Sequence, residues 1–182
     1  MRSRNVFFVV VELDFGTMDS SVVGIQTRLD KENVEEMKDI LRKHSDSLSP
    51  CHALIMETKQ HLAAALGRVD GYRLDQLSEQ DTDLKISISY DLLRTLDVLE
   101  PGMSKSRGIT LLDLAEVRIR KILRNNNLQL VYNQLLEVEK ELSEANDILK
   151  YEDEKALEGN VAKKARLDLV EIRNYLQSLK QR

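Results

Sequence analysis

The sequence predicts an all-α fold of about six helices arranged in antiparallel pairs. Three observations lead there. Leu, Glu, Lys and Arg are abundant, while glycine occurs seven times and proline twice, a composition that favours helix over strand. From Val34 onward, apolar residues return every three or four positions, the period of a one-sided helix. Clusters of Ser, Asn, Gly and Pro interrupt that period at few places, so the segments between them are long enough to be helices. The chain has 182 residues, 42% of them apolar and 32% charged, which suits a globular domain with a real core. Tryptophan is absent and aromatics are only 4%, so Leu, Ile, Val, Ala and Met must build that core.

The first 27 residues break the pattern. Val6 to Leu13 is strand-like, and the chain then passes through Gly16, Ser20, Ser21 and Gly24. The expectation is a leader, 1–27, that is poorly ordered or a remnant strand, followed by one helical domain, 28–182. The apolar run Val6–Val11 is far shorter than the ~20 residues that span a bilayer. Glu12 and Asp14 follow it too soon for a secretory signal.

Each helix then has its own markers. Val34, Met37, Ile40 and Leu41 make a short amphipathic helix with Asp30 as N-cap. After "SDSLSP", Ser49 and Pro50 are read as the start of a second helix. Its buried stripe is Leu54, Ile55, Thr58, Leu62, Ala65 and Leu66, and Gly67 closes it as the C′ residue. "RVDGYRLDQL" reads as a turn. Ser78 and Asp81 have capping-box spacing and start a helix to about Leu99, burying Leu84, Ile88, Leu92 and Leu96 with help from Ile86 and Leu93.

"EPGMSKSRGITLLDL", Glu100 to Leu114, is the long gap in this helical pattern. Pro101 pushes Glu100 out of helical geometry, and Gly102 can take positive φ, so a sharp corner is expected. Gly108 then precedes a new start at Thr110 and Asp113, a second capping box, with Leu112, Ala115, Ile119, Ile122 and Leu123 inside. Asn125, Asn126 and Asn127 end that helix, since Asn favours turns and αL conformations. Val131, Leu135, Val138, Leu142, Ala145 and Leu149 then step by four and three. The run is too short for a free coiled coil and predicts packing inside a bundle or array. A loop at "KYEDEKALEGN" leads to a last helix with Val161, Ala165, Leu169, Ile172, Leu176 and Leu179 inside. Helix–turn–helix pairs of this size look like a degenerate α-solenoid, a TPR-like arrangement.

"LLRTLDVLEPGMSKSRGITLLDL" also resembles the C-terminal helical domain of SMYD proteins, which are SET- and MYND-type protein-lysine methyltransferases. There a helix ending in a Pro-Gly corner is followed by a basic Arg-Gly turn and an apolar helix. "HSDSLSPCHALIMETKQHLAAALG" is similar to the helix pair before that corner. "EANDILKYEDEKALEGNVAKKARLDLVEIRNYL" is similar to the closing helices. The resemblance runs from Leu29 to Leu179. It implies a domain that stacks beside a SET domain and narrows its substrate cleft. The family's S-adenosylmethionine motifs, catalytic tyrosine and zinc-binding cysteine sets have no counterpart in this sequence.

The chemistry-bearing residues are few. Cys51 is the single cysteine, which excludes an intrachain disulfide and a four-cysteine zinc site. With His44, His52 and His61 it forms the only metal-like grouping, but no pair has the i, i+4 spacing of a helical zinc site. Its place near a helix N-terminus would lower the thiol pKa, yet no partner motif for a nucleophile accompanies it. A buried thiol and surface imidazoles are the simpler reading. Glu137, Glu141 and Glu144 fall on one side of the heptad helix and read as a solvated face. Arg118, Arg120, Lys121 and Arg124 are the strongest basic run. They read either as an anion contact or as partners for Glu137, Glu139, Glu141 and Glu144 on the next helix.

The net charge of −4 gives no general attraction to nucleic acid or anionic lipid. The expectation is therefore a non-catalytic helical interaction or regulatory domain without a cofactor, metal or catalytic residue of its own. Its partner would be a protein, a peptide, or a SET domain in a fuller chain, with no nucleic acid and no membrane. Its location would be cytoplasmic or nuclear. The competing expectation is a fragment of a full S-adenosylmethionine-dependent lysine methyltransferase whose catalytic half lies outside this chain.

Overall fold

Six helices carry the described chain: α1 (Lys31–His44), α2 (Ala53–Ala65), α3 (Glu79–Leu99), α4 (Lys105–Ile122), α5 (Leu128–Leu149) and α6 (Leu157–Lys180). The structure, a computed structural model, describes residues 31–44, 47–49, 52–152 and 157–181. The leader, the strand-like Val6–Leu13, Asp30, Pro50 and Cys51 lie outside the described residues. Among the described residues there is no strand, only one isolated bridge between Gly67 and Arg73, so the fold is all-α. The chain divides into two compact units, with the boundary inside α3 between Thr95 and Leu96.

In the first unit, α2 starts at Ala53, not at the expected Ser49. The Ser49 carbonyl instead closes a turn by accepting from the His52 amide at 2.8 Å. His52 is the N-cap, its Nδ1 accepting from the Leu54 amide at 3.3 Å. The predicted stripe holds at Ile55, Leu62, Ala65 and Leu66, with Thr58 half-buried, and fails at Leu54 in the first turn. Leu54 is 59% exposed, while Ile55, Met56, Leu62, Ala63, Ala65 and Leu66 are buried.

The end of α2 is accounted for carbonyl by carbonyl. Gly67 has φ +107°, as the C′ position requires. The Leu62 carbonyl takes the Leu66 amide, and the Ala65 carbonyl takes the amides of Arg68 and Val69. The Ala64 carbonyl accepts from Arg68 Nη1 at 3.3 Å. The carbonyls of Ala63 and Leu66 accept from Lys85 Nζ at 2.9 and 2.6 Å. Lys85 lies on α3 and is only 3% exposed. It stands between Thr82 and Ser89 in a buried polar stripe that the apolar pattern did not reveal. Leu84 and Ile86, expected inside, are half-buried because this stripe takes the inward face.

At the start of α3, Ser78 Oγ accepts from the Asp81 amide at 3.0 Å and donates to Asp81 Oδ2 at 2.7 Å. The capping box is thus present in altered form, because Asp is one methylene shorter than Glu and meets the hydroxyl. Asp81 Oδ1 also holds Lys38 of α1 at 2.5 Å. Lys38 bonds Glu35 at 2.9 Å and lies 4.5 Å from the centre of the Tyr72 ring. The Tyr72 hydroxyl donates to Glu35, which lowers the Glu35 pKa, with Lys38 adding to the effect. Burial works against the Lys38 ammonium, but Asp81 and Glu35 outweigh it and raise its pKa. On the α2–α3 seam, Lys59 bonds Asp91 at 2.6 Å. Burial works against the Asp91 carboxylate, but Lys59 and Arg94 outweigh it and lower its pKa.

The second unit begins with the last turn of α3 and the corner that follows it. Gly102 has φ +103°, as the Pro-Gly reading requires, and α3 ends at Leu99. The next helix, however, does not start at Thr110. It starts at Lys105 with Ser104 as N-cap, whose Oγ accepts from the Arg107 amide at 3.2 Å. The same hydroxyl donates to Glu100 Oε2 at 2.6 Å, which ties the cap to the end of α3. Thr110 is already helical, its hydroxyl donating to the Ser106 carbonyl at 2.8 Å. Gly108 therefore sits inside α4. A Cβ there would lie 2.9 Å from Leu149 Cγ and 3.0 Å from Ile148 Cγ2, so the glycine lets α4 and α5 approach.

Asn127 does not close α4. It caps α5, its Oδ1 accepting from the Leu130 amide at 3.1 Å, while Asn125 Oδ1 accepts from the Asn127 amide. No described non-glycine residue has positive φ, so the three asparagines work through side-chain caps rather than αL backbone. All six seam residues of α5 are buried between α4 and α6, as the period predicted. Val161, Ala165, Leu169, Ile172 and Leu176 are buried on α6, and Leu179 is half-buried.

Three substitutions test these contacts. Lys85→Met should cost about 2–4 kcal/mol, because two buried carbonyls lose their donor. Urea unfolding measures it, and a loss below about 1 kcal/mol would mean water replaces the ammonium. Gly108→Ala should lower stability despite the ~1 kcal/mol gain in helix propensity, because overpacking against the buried Leu149 costs ~1–3 kcal/mol. Gly102→Ala meets no atom within 4 Å. It should cost only the ~1–2 kcal/mol of left-handed backbone strain. Stabilisation by Gly108→Ala in the same unfolding series would show that α5 can give way.

Candidate functional site

Two helical stripes face each other in the second unit. On α4 they are Glu116, Ile119, Arg120 and Leu123, spaced i, i+3, i+4, i+7. On α6 they are Lys164, Asp168, Glu171, Ile172 and Tyr175, which also repeat on one face. Leu135 of α5 forms the floor. Both outer helices pack on α5, so a groove of about 540 Å³ lies between them. From Lys164 to Tyr175 it runs roughly 16 Å at 1.5 Å per residue.

The groove is polar at one end and apolar at the other. Lys164 bridges the two walls, 3.2 Å from Glu116 on α4 and 3.2 Å from Asp168 on its own helix. Burial works against its ammonium, yet the two carboxylates outweigh that and raise its pKa, so it stays charged at neutral pH. Toward the other end, Leu123 is 50% exposed and Tyr175 41% exposed. Among the described residues, Arg120 and Glu171 form no ion pair. The lining thus holds three carboxylates, two cations and an accessible apolar cluster.

A second, more open depression lies beside the corner, lined by Gly102, Met103, Arg107, Lys140, Ser143 and Ile148 together with four acidic residues. Arg107 crosses it, bonded to Asp97 and to Glu144 at 2.7 Å. The corner is therefore a structural joint. Ser104 engages its hydroxyl with the cap and with Glu100.

The residues singled out from the sequence fall in different places. Arg118 turns onto α5 and bonds Glu137 at 3.0 Å and also Glu141. Glu139 is held by Arg173 of α6 at 2.7 Å, and Glu144 by Arg107. The internal pairing reading holds for Arg118, and the solvated-face reading fails for the half-buried Glu141. Arg120 lines the groove, while Lys121 and Arg124 lie on the exposed end of α4 and its turn. The helix thus divides the basic run over several faces. His44 ends α1, His52 caps α2 and His61 is half-buried in mid-helix. Among the described residues, no group of three or more His, Cys, Asp or Glu side chains could hold a metal ion. No described helix is long and apolar enough to cross a membrane.

Sequence reasoning missed the groove. Ile119 and Leu123 were assigned to the core, and Glu116, Lys164, Asp168, Glu171 and Tyr175 were not singled out. The available signal was Tyr175, an aromatic residue on the polar side of α6 in a chain with few aromatics.

The fold and groove define an all-α protein with a surface cleft between two outer helices of a three-helix layer. No protein-family model, curated protein or solved structure matches the chain.

The groove wall should be dispensable for folding. Leu123→Ser should change stability by no more than about 0.5 kcal/mol, whereas Leu135→Ala on the floor should cost about 2–5 kcal/mol. Thermal unfolding of both variants checks this, and a large loss at Leu123 would return it to the core.

Proposed function

We propose that this chain is a non-catalytic helical interaction module that holds a protein segment in the α4–α6 groove. One observation carries the reading. Leu123 and Tyr175 keep large apolar surface open in a groove whose rim is charged. Exposed apolar surface rimmed by polar groups is the usual form of a protein-binding site. The resemblance of the Pro-Gly and Arg-Gly stretch to the SMYD C-terminal domain supports the same kind of role, beside a SET domain or on a separate partner. On this reading the chain has no S-adenosylmethionine or zinc site, and it acts in the cytoplasm or nucleus.

Methyl transfer needs a site that aligns the donor and a lysine amine in a water-poor channel. The groove offers an open trough with a floor of Leu135 and a single bridged ammonium, which suits side chains better than a nucleotide-like cofactor. Two measurements on the purified chain test the proposal. Titration calorimetry with S-adenosylmethionine should give no saturable heat. Saturable micromolar binding would favour the competing reading, a piece of a methyltransferase that retains cofactor affinity. A displayed library of random 12-residue peptides should yield binders that Leu123→Asp rejects. Failure to enrich any peptide would sink the interaction reading.

A further inference from the structure

We infer that the segment the groove selects carries a lysine or arginine next to a bulky apolar side chain. This inference rests on the peptide-binding reading and adds its specificity. Three features of the groove converge on it.

The first is the disposition of charge. Lys164 is already bridged by Glu116 and Asp168 at 3.2 Å each, so it offers little to an incoming anion. The remaining lining charges are Arg120 and Glu171, and the groove as a whole carries three carboxylates against two cations. A cationic segment is therefore favoured over an anionic one.

The second is the neighbourhood of Glu171. Ile172 follows it in the chain, and Tyr175 lies one turn further along the same wall. An apolar side chain seated against Leu123 and Ile172 would place the adjacent residue of its segment beside Glu171 and Tyr175. A carboxylate and an aromatic face one turn apart attract an ammonium or guanidinium through charge and through the ring quadrupole.

The third is a precedent within the molecule. In the first unit, a glutamate and a tyrosine hold a lysine together with Asp81, which lies 2.5 Å from its ammonium. Lys38 is 2.9 Å from Glu35 and 4.5 Å from the centre of the Tyr72 ring. Among the described residues, Glu171 forms no ion pair and the Tyr175 ring holds no cation. The groove offers a partner a glutamate and a tyrosine, two of the three kinds of contact that hold Lys38.

Sequencing the peptides selected from the library provides the test. With the native chain, Lys or Arg should be enriched within two positions of a Leu, Ile, Met or Phe. A synthetic peptide from that pool should lose about three- to tenfold in affinity on Glu171→Gln or on Tyr175→Leu. Its binding should also weaken as salt rises. Selection against Glu171→Arg should shift the enriched charge toward Asp or Glu. Glu171 is exposed, so both variants should keep the native circular dichroism and melting temperature. Enrichment of acidic or uncharged peptides by the native chain would overturn the inference while leaving the groove as a peptide site. Retention of basic peptides by Glu171→Arg would overturn it as well. An absence of any enriched peptide would instead remove the interaction reading itself.

Discussion

The ammonium of Lys85 on the carbonyls of Ala63 and Leu66 expresses the constraint that shapes this fold. A helix leaves backbone groups unpaired at both ends, and a buried end must find partners for them. In a chain with few prolines and glycines, the partners come largely from side chains. Lys85 serves the end of α2. Ser78, Ser104 and Asn127 serve the starts of α3, α4 and α5, and His52 serves the start of α2. Where a helix begins is decided by which side chain reaches an orphan amide.

That constraint explains the main displacement from the sequence reading. Thr110 and Asp113 have capping spacing, and Gly108 looks like the residue before a helix. Ser104 reaches the Arg107 amide first and is itself anchored by Glu100. The helix therefore starts five residues earlier than Thr110. Gly108 becomes a contact residue, admitting Leu149 where a side chain would collide. The two glycines of the corner region serve opposite needs. Gly102 supplies a positive φ in open space, and Gly108 supplies room in ordinary helical geometry.

The charged residues follow the same division between local and tertiary causes. Most pairs one turn apart, such as Arg42–Asp39 and Lys150–Asp147, lie on exposed helix faces and contribute little. The pairs that cross between helices are more telling. Arg118 with Glu137 and Glu141, and Arg173 with Glu139, set the alignment of α4 and α6 on α5. Lys164 crosses from α6 to Glu116 of α4. The same crossing leaves Glu171 and Tyr175 on the groove wall, where charge and aromatic surface remain accessible to a partner.

The sequence by itself determined the all-α class, the α5 seam, the Pro-Gly corner and the Gly67 stop. Each depends on local period or on a residue with special backbone freedom, and both are legible without neighbours. Tertiary structure alone decided the inward face of α3, the start of α4 and the groove. A buried lysine looks like a surface lysine until the carbonyls it caps are placed beside it. The role of Gly108 depends on Leu149, which lies 41 residues away in the chain. Leu123 and Leu135 have the same apolar character, yet one is a groove wall and the other its floor. Hydrophobic period marks which residues share a helix face, and only the packing of neighbouring helices decides how much of that face is covered.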